Sequence, residues 1–519
     1  MIPAATATHD AASPATATDT AFFGHPRGLS TLFFTEMWER FSYYGMRGFL
    51  IFYMTANVAA GGMGLNTATA AAIYGTYTSM VYLMSVPGGW IADNLLGQRR
   101  SVLYGGILIA AGHFSLAVPT STMFYVGLVL IVLGTGLLKP NISVIVGQLY
   151  GPKDVRRDAG FSIFYMGINL GAFLGPLITG YLAQDQGFRS MLAARGMDPN
   201  SAWHWGFGAA GVGMTLGLIQ YLVSGRALGA AGLVPGGVAA TGAAPQARRQ
   251  AVMWTGAGLA LLGLWAVWRT VSGQPFDATS IRDAAGYSLL IITVIFFVRL
   301  FADASWTREE RGRLWTIFVF FACAAIFWSV FEQAGSTLNL FADRSTRNEV
   351  FGLAFPSSWF QSLNALFIIV FAPVFAWMWI RMGDGQPASP TKFAFGLIGV
   401  GVGFILLVPA SIAARDGVLV TPLWLVTVYL IHTFAELCLS PVGLSSMTKL
   451  APARVVGAMM GIWFLGASIG NFMAGQLATF YESMPLEQLF GAVSILPIAA
   501  GALMLLFSRR ITSMMAGVK

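Results

Sequence analysis

The stretch TEMWERFSYYGMRG, residues 35–48, sets Glu36, Glu39, Arg40 and Arg47 inside a run that is otherwise apolar from Leu29 to Thr55. On insertion scales a charged residue near a helix centre costs about 2.5 to 3.5 kcal/mol, so four cost roughly 10 to 14, while the Leu, Ile and Phe residues of the segment offset only about 3 to 5. The helix must therefore turn these charges toward a protein interior or a wet cavity and away from lipid. Glu36, Arg40, Tyr43 and Arg47 follow one another at i, i+4, i+7 and i+11, along one helix face, with Glu39 beside them. Two carboxylates among two guanidiniums can be neutral overall. Protonating one Glu then frees an Arg to find a new partner, which is what a proton-driven switch requires. The alternative is a static ion-pair network that pins helix packing, but ionisable groups inside membranes are as a rule functional.

The rest of the chain agrees with a membrane setting. Of its 519 residues 56% are hydrophobic and 10% charged, with a mean hydropathy of +0.68, whereas an average soluble domain is about a quarter charged. Apolar stretches of helical length recur along the whole sequence, and they are continuous, not alternating, which excludes a β-barrel. Helices are expected near 29–55, 68–92, 101–119, 122–149, 158–184 and 203–224, then near 250–270 and 286–302, then near 313–341, 355–381, 391–411, 421–448, 455–481 and 487–508. The plan is an all-α polytopic protein of fourteen spans arranged as six, two and six. It divides into a disordered tail (1–27), an N-terminal bundle (28–224), a linker with two extra helices (225–312), a C-terminal bundle (313–510) and a short tail (511–519). The first 27 residues lack the basic and compact apolar regions of a signal peptide.

The net charge of +8 lies between the spans and forms no aromatic-interleaved patch, so nucleic acid is not an expected partner. Arg99, Arg100, Lys153, Arg156, Arg157, Arg248, Arg249, Arg509 and Arg510 fall on the side that carries both termini if the helices alternate, and the positive-inside rule then places both termini in the cytoplasm. Two six-helix halves suggest a transporter with a site between them. Cys323 and Cys438 lie in apolar runs and read as small core residues.

Other buried polar positions follow the logic of the first helix. In GTGLLKPNIS (134–143) Lys139 needs an anion. In FYMGINLGAFLGP (164–176) Asn169 is the lone amide of a glycine-spaced helix. In IFWSVFEQAGSTLNLFADR (326–344) Trp328, Glu332 and Gln333 precede Asp343 and Arg344, and Glu332 is a candidate partner for Arg47. In SSWFQSLNALF (357–367) Gln361 and Asn364 serve packing or substrate contact equally well. In HTFAELCLSPVGLSSMTK (432–449) Glu436 is a candidate partner for Lys139, and Ser440 with Pro441 suggests a helix break. Each half thus offers charges that the other can pair, a way to build alternating gates.

Glu36-Met-Trp-Glu39-Arg40-Phe41-Ser-Tyr43-Tyr44-Gly45 resembles the ExxERFxYYG signature of the proton-dependent oligopeptide transporters, the POT/PTR branch of the major facilitator superfamily, in its prokaryotic form. FYMGINLG (164–171) resembles the family's FYxxINxG motif, ELCLSPVG (436–443) its tenth-helix motif, and GGWIADNLLGQRR (88–100), with Asp93, Arg99 and Arg100, the superfamily's loop motif. The matches span helices 1 to 11. The resemblance implies proton-driven uptake of di- and tripeptides by alternating access between two bundles, with two extra helices between them. It implies a peptide site lined by Tyr43, Tyr44, Arg47, Tyr82, Lys139, Asn169, Trp328, Glu332, Asn364, Glu436, Ser440 and Trp463. It also implies proton coupling through Glu36, Glu39, Arg40 and Glu332, an outer gate of Arg47 with Glu332 and an inner gate of Lys139 with Glu436. Arg and Lys suit the peptide carboxylate, Glu332 and the amides its amino end. The second-helix stretch Ala71–Gly89 has no His, so a histidine-based coupling of the kind found in animal relatives does not carry over.

The expectation is a monomeric symporter of a bacterial inner membrane, in contact with lipid, with the proton as coupling ion and no cofactor or metal. The same scaffold moving nitrate or a peptide-like drug is the alternative. An enzyme is disfavoured: GASIG (466–470) and GFGAAG (206–211) mimic nucleophile and dinucleotide motifs, but both lie in helical runs with no preceding strand. His432 and Glu436 stand at i, i+4 without a second His and make a poor zinc site. A channel leaves the paired charges unexplained.

Overall fold

A computed structural model describes residues 19–151, 154–233, 243–274, 277–452 and 455–517. The N-terminal half comprises α1 (Arg27–Thr55), α2 (Thr67–Leu83), α3 (Ser85–Ile91), α4 (Gln98–Leu116), α5 (Ser121–Gln148), α6 (Arg157–Gln184), the short α7 (Gln186–Ala194) and α8 (Ala202–Ser224). Then come α9 (Ala243–Val271) and α10 (Ala278–Ala302). The C-terminal half comprises α11 (Arg308–Phe331), α12 (Thr337–Arg344), α13 (Gln361–Met382), α14 (Ser389–Ala413), α15 (Leu423–Leu450), α16 (Val456–Ala478) and α17 (Leu486–Met514). With α2 and α3, and α11 and α12, taken as interrupted single spans, the long helices fall on the fourteen expected ones. Among the described residues nine spans are long and apolar enough to cross a membrane; α1, with its buried charges, is not one of them. This is a multi-pass membrane protein.

Local signals start several helices. Asn66 caps α2 by accepting from Thr69 N at 2.8 Å, and Thr120 caps α5 from Met123 N at 3.2 Å. Capping boxes, Asp277 with Ser280 and Thr307 with Glu310, open α10 and α11.

Four expectations are corrected. Residues 1–18 of the expected disordered tail lie outside the described residues, but 19–26 form a turn: Phe22 and His25 exchange backbone hydrogen bonds, and His25 Nδ1 lies 3.0 Å from the Tyr150 hydroxyl. The C-terminal tail begins later than expected, since α17 runs to Met514. The seventh span is broken at Glu332–Gly335, a 3₁₀ turn. The break expected at Ser440–Pro441 does not occur; α15 continues through Pro441, which removes one ladder hydrogen bond without ending the helix. Lys153 lies outside the described residues.

The halves meet along two seams, α2 against α16 and α6 against α13. Glycine permits the first: a Cβ on Gly75 would stand 2.5 Å from the Gly475 Cα. Ser79 and Ser468 of GASIG share a hydrogen bond there at 2.9 Å, so that motif serves helix packing. Within the N-terminal half Gly175 lets α6 lie against α1, where a Cβ would come 2.5 Å from Phe41 O. The first and last described segments are tied down within their own halves: Arg156 Nη1 reaches Asp19 O at 3.3 Å, and Arg313 Nη2 reaches Ala516 O at 3.5 Å.

Candidate functional site

Between the halves lies a cavity of about 1640 Å³. It runs from Arg47 and Glu332 to Gln148, Tyr150 and Arg157, so it opens at the end where α5 stops and α6 starts and stops short of the far end.

The far end is closed by charge. Arg47 donates to Glu332 across the halves, and its Nε donates to the Tyr74 hydroxyl. Both partners of the ion pair have side chains only 4% exposed. The 3₁₀ turn at the end of α11 brings Glu332 to this point. At the open end the other candidate pair is apart. Lys139 Nζ sits 3.8 Å from the centroid of the Tyr82 ring, and Glu436 accepts from Asn364 Nδ2 at 3.0 Å. The expected Lys139–Glu436 contact is therefore absent from this conformation, each charge resting on a neighbour from its own half.

The four charges of α1 divide. Arg40 Nε lies 3.2 Å from Glu36 Oε1 and is also bonded to Glu39, so these three form a local cluster. Arg47, two turns on, leaves them to cross the interface. Glu36, Arg40, Tyr44 and Arg47 line the cavity, whereas Glu39 and Tyr43 do not. Tyr43 is 1% exposed and packs in the core, its ring 5.2 Å from the Arg40 and 6.0 Å from the Arg47 guanidinium carbon. Of the two tyrosines expected to line the site, only Tyr44 therefore reaches the cavity.

The remaining sequence candidates converge on the same cavity. Tyr82 and Asn169 line the N-terminal wall; Trp328, Asn364, Ser440 and Trp463 line the other. Asn169 donates to Tyr165 O at 2.9 Å, and Asn364 also reaches Thr433 Oγ1 at 3.1 Å. His432 is turned away from Glu436, its Nε2 lying 3.2 Å from Val400 O. The loop motif stands apart from the cavity interior. Asp93 accepts from Gln98 Nε2 at 2.9 Å, Arg99 donates to Gly229 O and Ala231 O at 2.5 Å each, and Arg100 is exposed. Arg99 thereby holds the segment after α8, whose Ala230 and Ala231 edge the cavity mouth.

Sequence reasoning missed Tyr74, Tyr429 and Phe331. Tyr429 and Phe331 line the cavity, and Tyr74 steadies Arg47. An aromatic in an apolar helix carries little signal alone, although Tyr74 stands two turns before Tyr82 on the same face.

Residues 99–496 match the family model described as POT family. A peptide transporter of Yersinia enterocolitica is 43% identical over 498 residues, covering 93% of this chain and 94% of that one. The chain belongs to the POT family. A di-/tripeptide transporter of Lactococcus lactis is 35% identical to this POT-family chain, covering 97% and 99% of the two sequences. A crystal structure of a mutant peptide transporter POT in complex with alafosfalin matches it with a TM-score of 0.85 at 43% identity, covering 97% of this chain and 99% of that one. The POT-family fold is that of the major facilitator superfamily, two bundles around one cavity.

Proposed function

We propose that this chain carries di- and tripeptides, together with protons, into the cell by alternating access. It acts as a monomer in the bacterial inner membrane, with both termini in the cytoplasm, as the basic loops favour. The observation that carries the reading is a cavity lined by cations and carboxylates from opposite halves, joined at one end and parted at the other. In that frame the structure is the inward-open state. Arg47 and Lys139 offer donors to a peptide carboxylate; Glu332, Asn169 and Asn364 offer acceptors to its amino group. A simple anion such as nitrate would face Glu332 and Glu436 with nothing to bind to them, so a zwitterion fits better. Trp328, Phe331 and Trp463 give side chains apolar contact without demanding one shape.

The proton sites are carboxylates. Glu36 lines the cavity, and its Oε2, like Glu39 Oε1, has no hydrogen-bond partner among the described residues. Glu36 is therefore where a proton arrives, and Glu39 the sealed member of the cluster. Glu332 is the second site: its only hydrogen-bond partner among the described residues is Arg47, so a proton is what neutralises it when Arg47 leaves. The proton needs no cofactor. Uptake of labelled dialanine into proteoliposomes under an imposed inward proton gradient tests the reading; gradient-dependent accumulation is expected, and its absence for several different peptides overturns it.

A further inference from the structure

The Arg47–Glu332 pair uses the charges at the closed end, yet uncharged groups beside it have no role so far. Asn339, on α12, is fully buried. Its Nδ2 donates to the carbonyl of Gly48 at 2.9 Å, crossing from the C-terminal half to the residue next to Arg47. That carbonyl lies within α1, and its second lone pair remains free for such a bond. Asn339 Oδ1 accepts from Gln361 Nε2 at 3.0 Å. Gln361 lines the cavity, and the same nitrogen reaches Ala334 O and, at 3.0 Å, the Tyr429 hydroxyl. One amide thus touches the broken seventh span, a cavity aromatic and the residue that grips α1.

We propose that Asn339, held in place by Gln361, is an uncharged second latch of the far-end gate, and that Gln361 links this latch to the contents of the cavity. The proposal rests on the reading of this end as the outer gate of an alternating-access transporter. The physical distinction is the stimulus each fastener answers. The ion pair needs Glu332 ionised, and the charged or titratable groups around it are Arg47, Tyr43 and Tyr44 on α1, Tyr74 and Tyr82 on α2, Lys139 on α5 and Glu436 on α15. The amide bond has no titrating proton, so acid that loosens the pair leaves it in place. A ligand bound to Gln361 or Tyr429 competes for the hydrogen bonds that orient Asn339. Asn339 and Gln361 are positioning residues: both act through the gate.

Spin labels on Ala59 and Glu349, exposed on far-end loops of the two halves, report the gate in a chain whose Cys323 and Cys438 are replaced by Ala. Asn339→Leu is expected to raise the population of long label distances about five- to thirty-fold, the size of one lost buried hydrogen bond. It should do so equally at acidic and mildly alkaline pH. Glu332→Gln is expected instead to remove the difference between the two pH values. Gln361→Ala is expected to raise the population and to make it insensitive to added dialanine. If Asn339→Leu does not fold, Asn339→Ser gives the same reading. No change at either pH overturns the latch, and a change at alkaline pH alone overturns its independence from the ion pair. Because the Asn339 arm needs no peptide, a parent chain that ignores dialanine counts against the proposed transport and leaves the latch result standing.

Discussion

The two ends of the cavity carry the same chemistry in opposite states. At the far end Arg47 and Glu332 are joined across the halves; at the open end Lys139 and Glu436 rest on Tyr82 and Asn364. The difference shows how a buried pair can open at all. A bare charge left in a low-dielectric interior is the costly outcome, and at the open end each charge has a substitute partner within its own half. At the far end Arg47 has such a substitute in Tyr74, but Glu332 has none among the described residues. The two gates are therefore unequal. In the proposed cycle one separates onto neutral neighbours, while the other leaves Glu332 without a partner until a proton neutralises it.

The largest effect is expected of Arg47→Ala. It leaves Glu332 buried without its partner, and losing one member of a buried pair costs about 3 to 5 kcal/mol, a hundredfold or more in population. Loss of far-end closure, read by distances across the rim, and loss of peptide uptake are both expected; an unchanged closed population would show that the ion pair does not hold the gate. The next effect concerns the charges of α1. Glu36→Gln and Glu39→Gln are each expected to abolish gradient-driven uptake while peptide counterflow persists, since exchange needs no net proton movement. Of the two, Glu39→Gln should also lower thermal stability, because Arg40 is bonded to that sealed carboxylate. Counterflow lost with peptide binding intact would remove both from proton coupling. Lys139→Ala acts at the open end. Uptake should fall about tenfold or more, as expected for an intramembrane charge in a transport path, with little change in the melting temperature, because no ion pair is broken in this conformation.

How far the sequence carried these conclusions differs by residue. The helices were legible because apolar length is a one-dimensional property, and the stripe of α1 was legible because i, i+4 spacing fixes a face. That Glu36, Lys139 and Glu332 face the interior followed from one rule, that charges do not face lipid, whereas the rule left Asn169 and Asn364 open between packing and the cavity, and only the family resemblance put them in the site. That rule could not separate Tyr43 from Tyr44, since adjacent residues on a helix point about 100° apart and which one meets the cavity depends on how α6 rotates α1. Nor could it decide which gate is joined, a matter of conformation and not of residue type. Pro441 misled because a proline that ends a helix in water is tolerated inside a bundle. The segment 19–26 misled because its anchors, Tyr150 and Arg156, lie more than a hundred residues away.

The smallest expected effect lies at the rim, where the far end has one more fastener. Arg344 Nη1 lies 2.7 Å from Glu482 Oε1, and Thr67, on the other half, bonds to both side chains. The hydrogen bonds from Thr67 and Arg344 hold the Glu482 carboxyl below the usual range. A group with a depressed pKa stabilises the folded arrangement above its ordinary pKa and loses that contribution as pH falls through the depressed value. Closure should thus weaken slightly on acidification, as the Glu482 carboxylate takes up a proton and loses its hold on Arg344 and Thr67. The side chains are exposed, 37% for Arg344 and 54% for Glu482, and exposed pairs are worth about 1 kcal/mol at most. Glu482→Gln is expected to shift the closed population by a few-fold or less and to shrink further at high salt, where the buried Arg47–Glu332 pair is unaffected. A salt-insensitive effect as large as that of Arg47→Ala would mean that the gate is held at its rim and not at the head of the cavity.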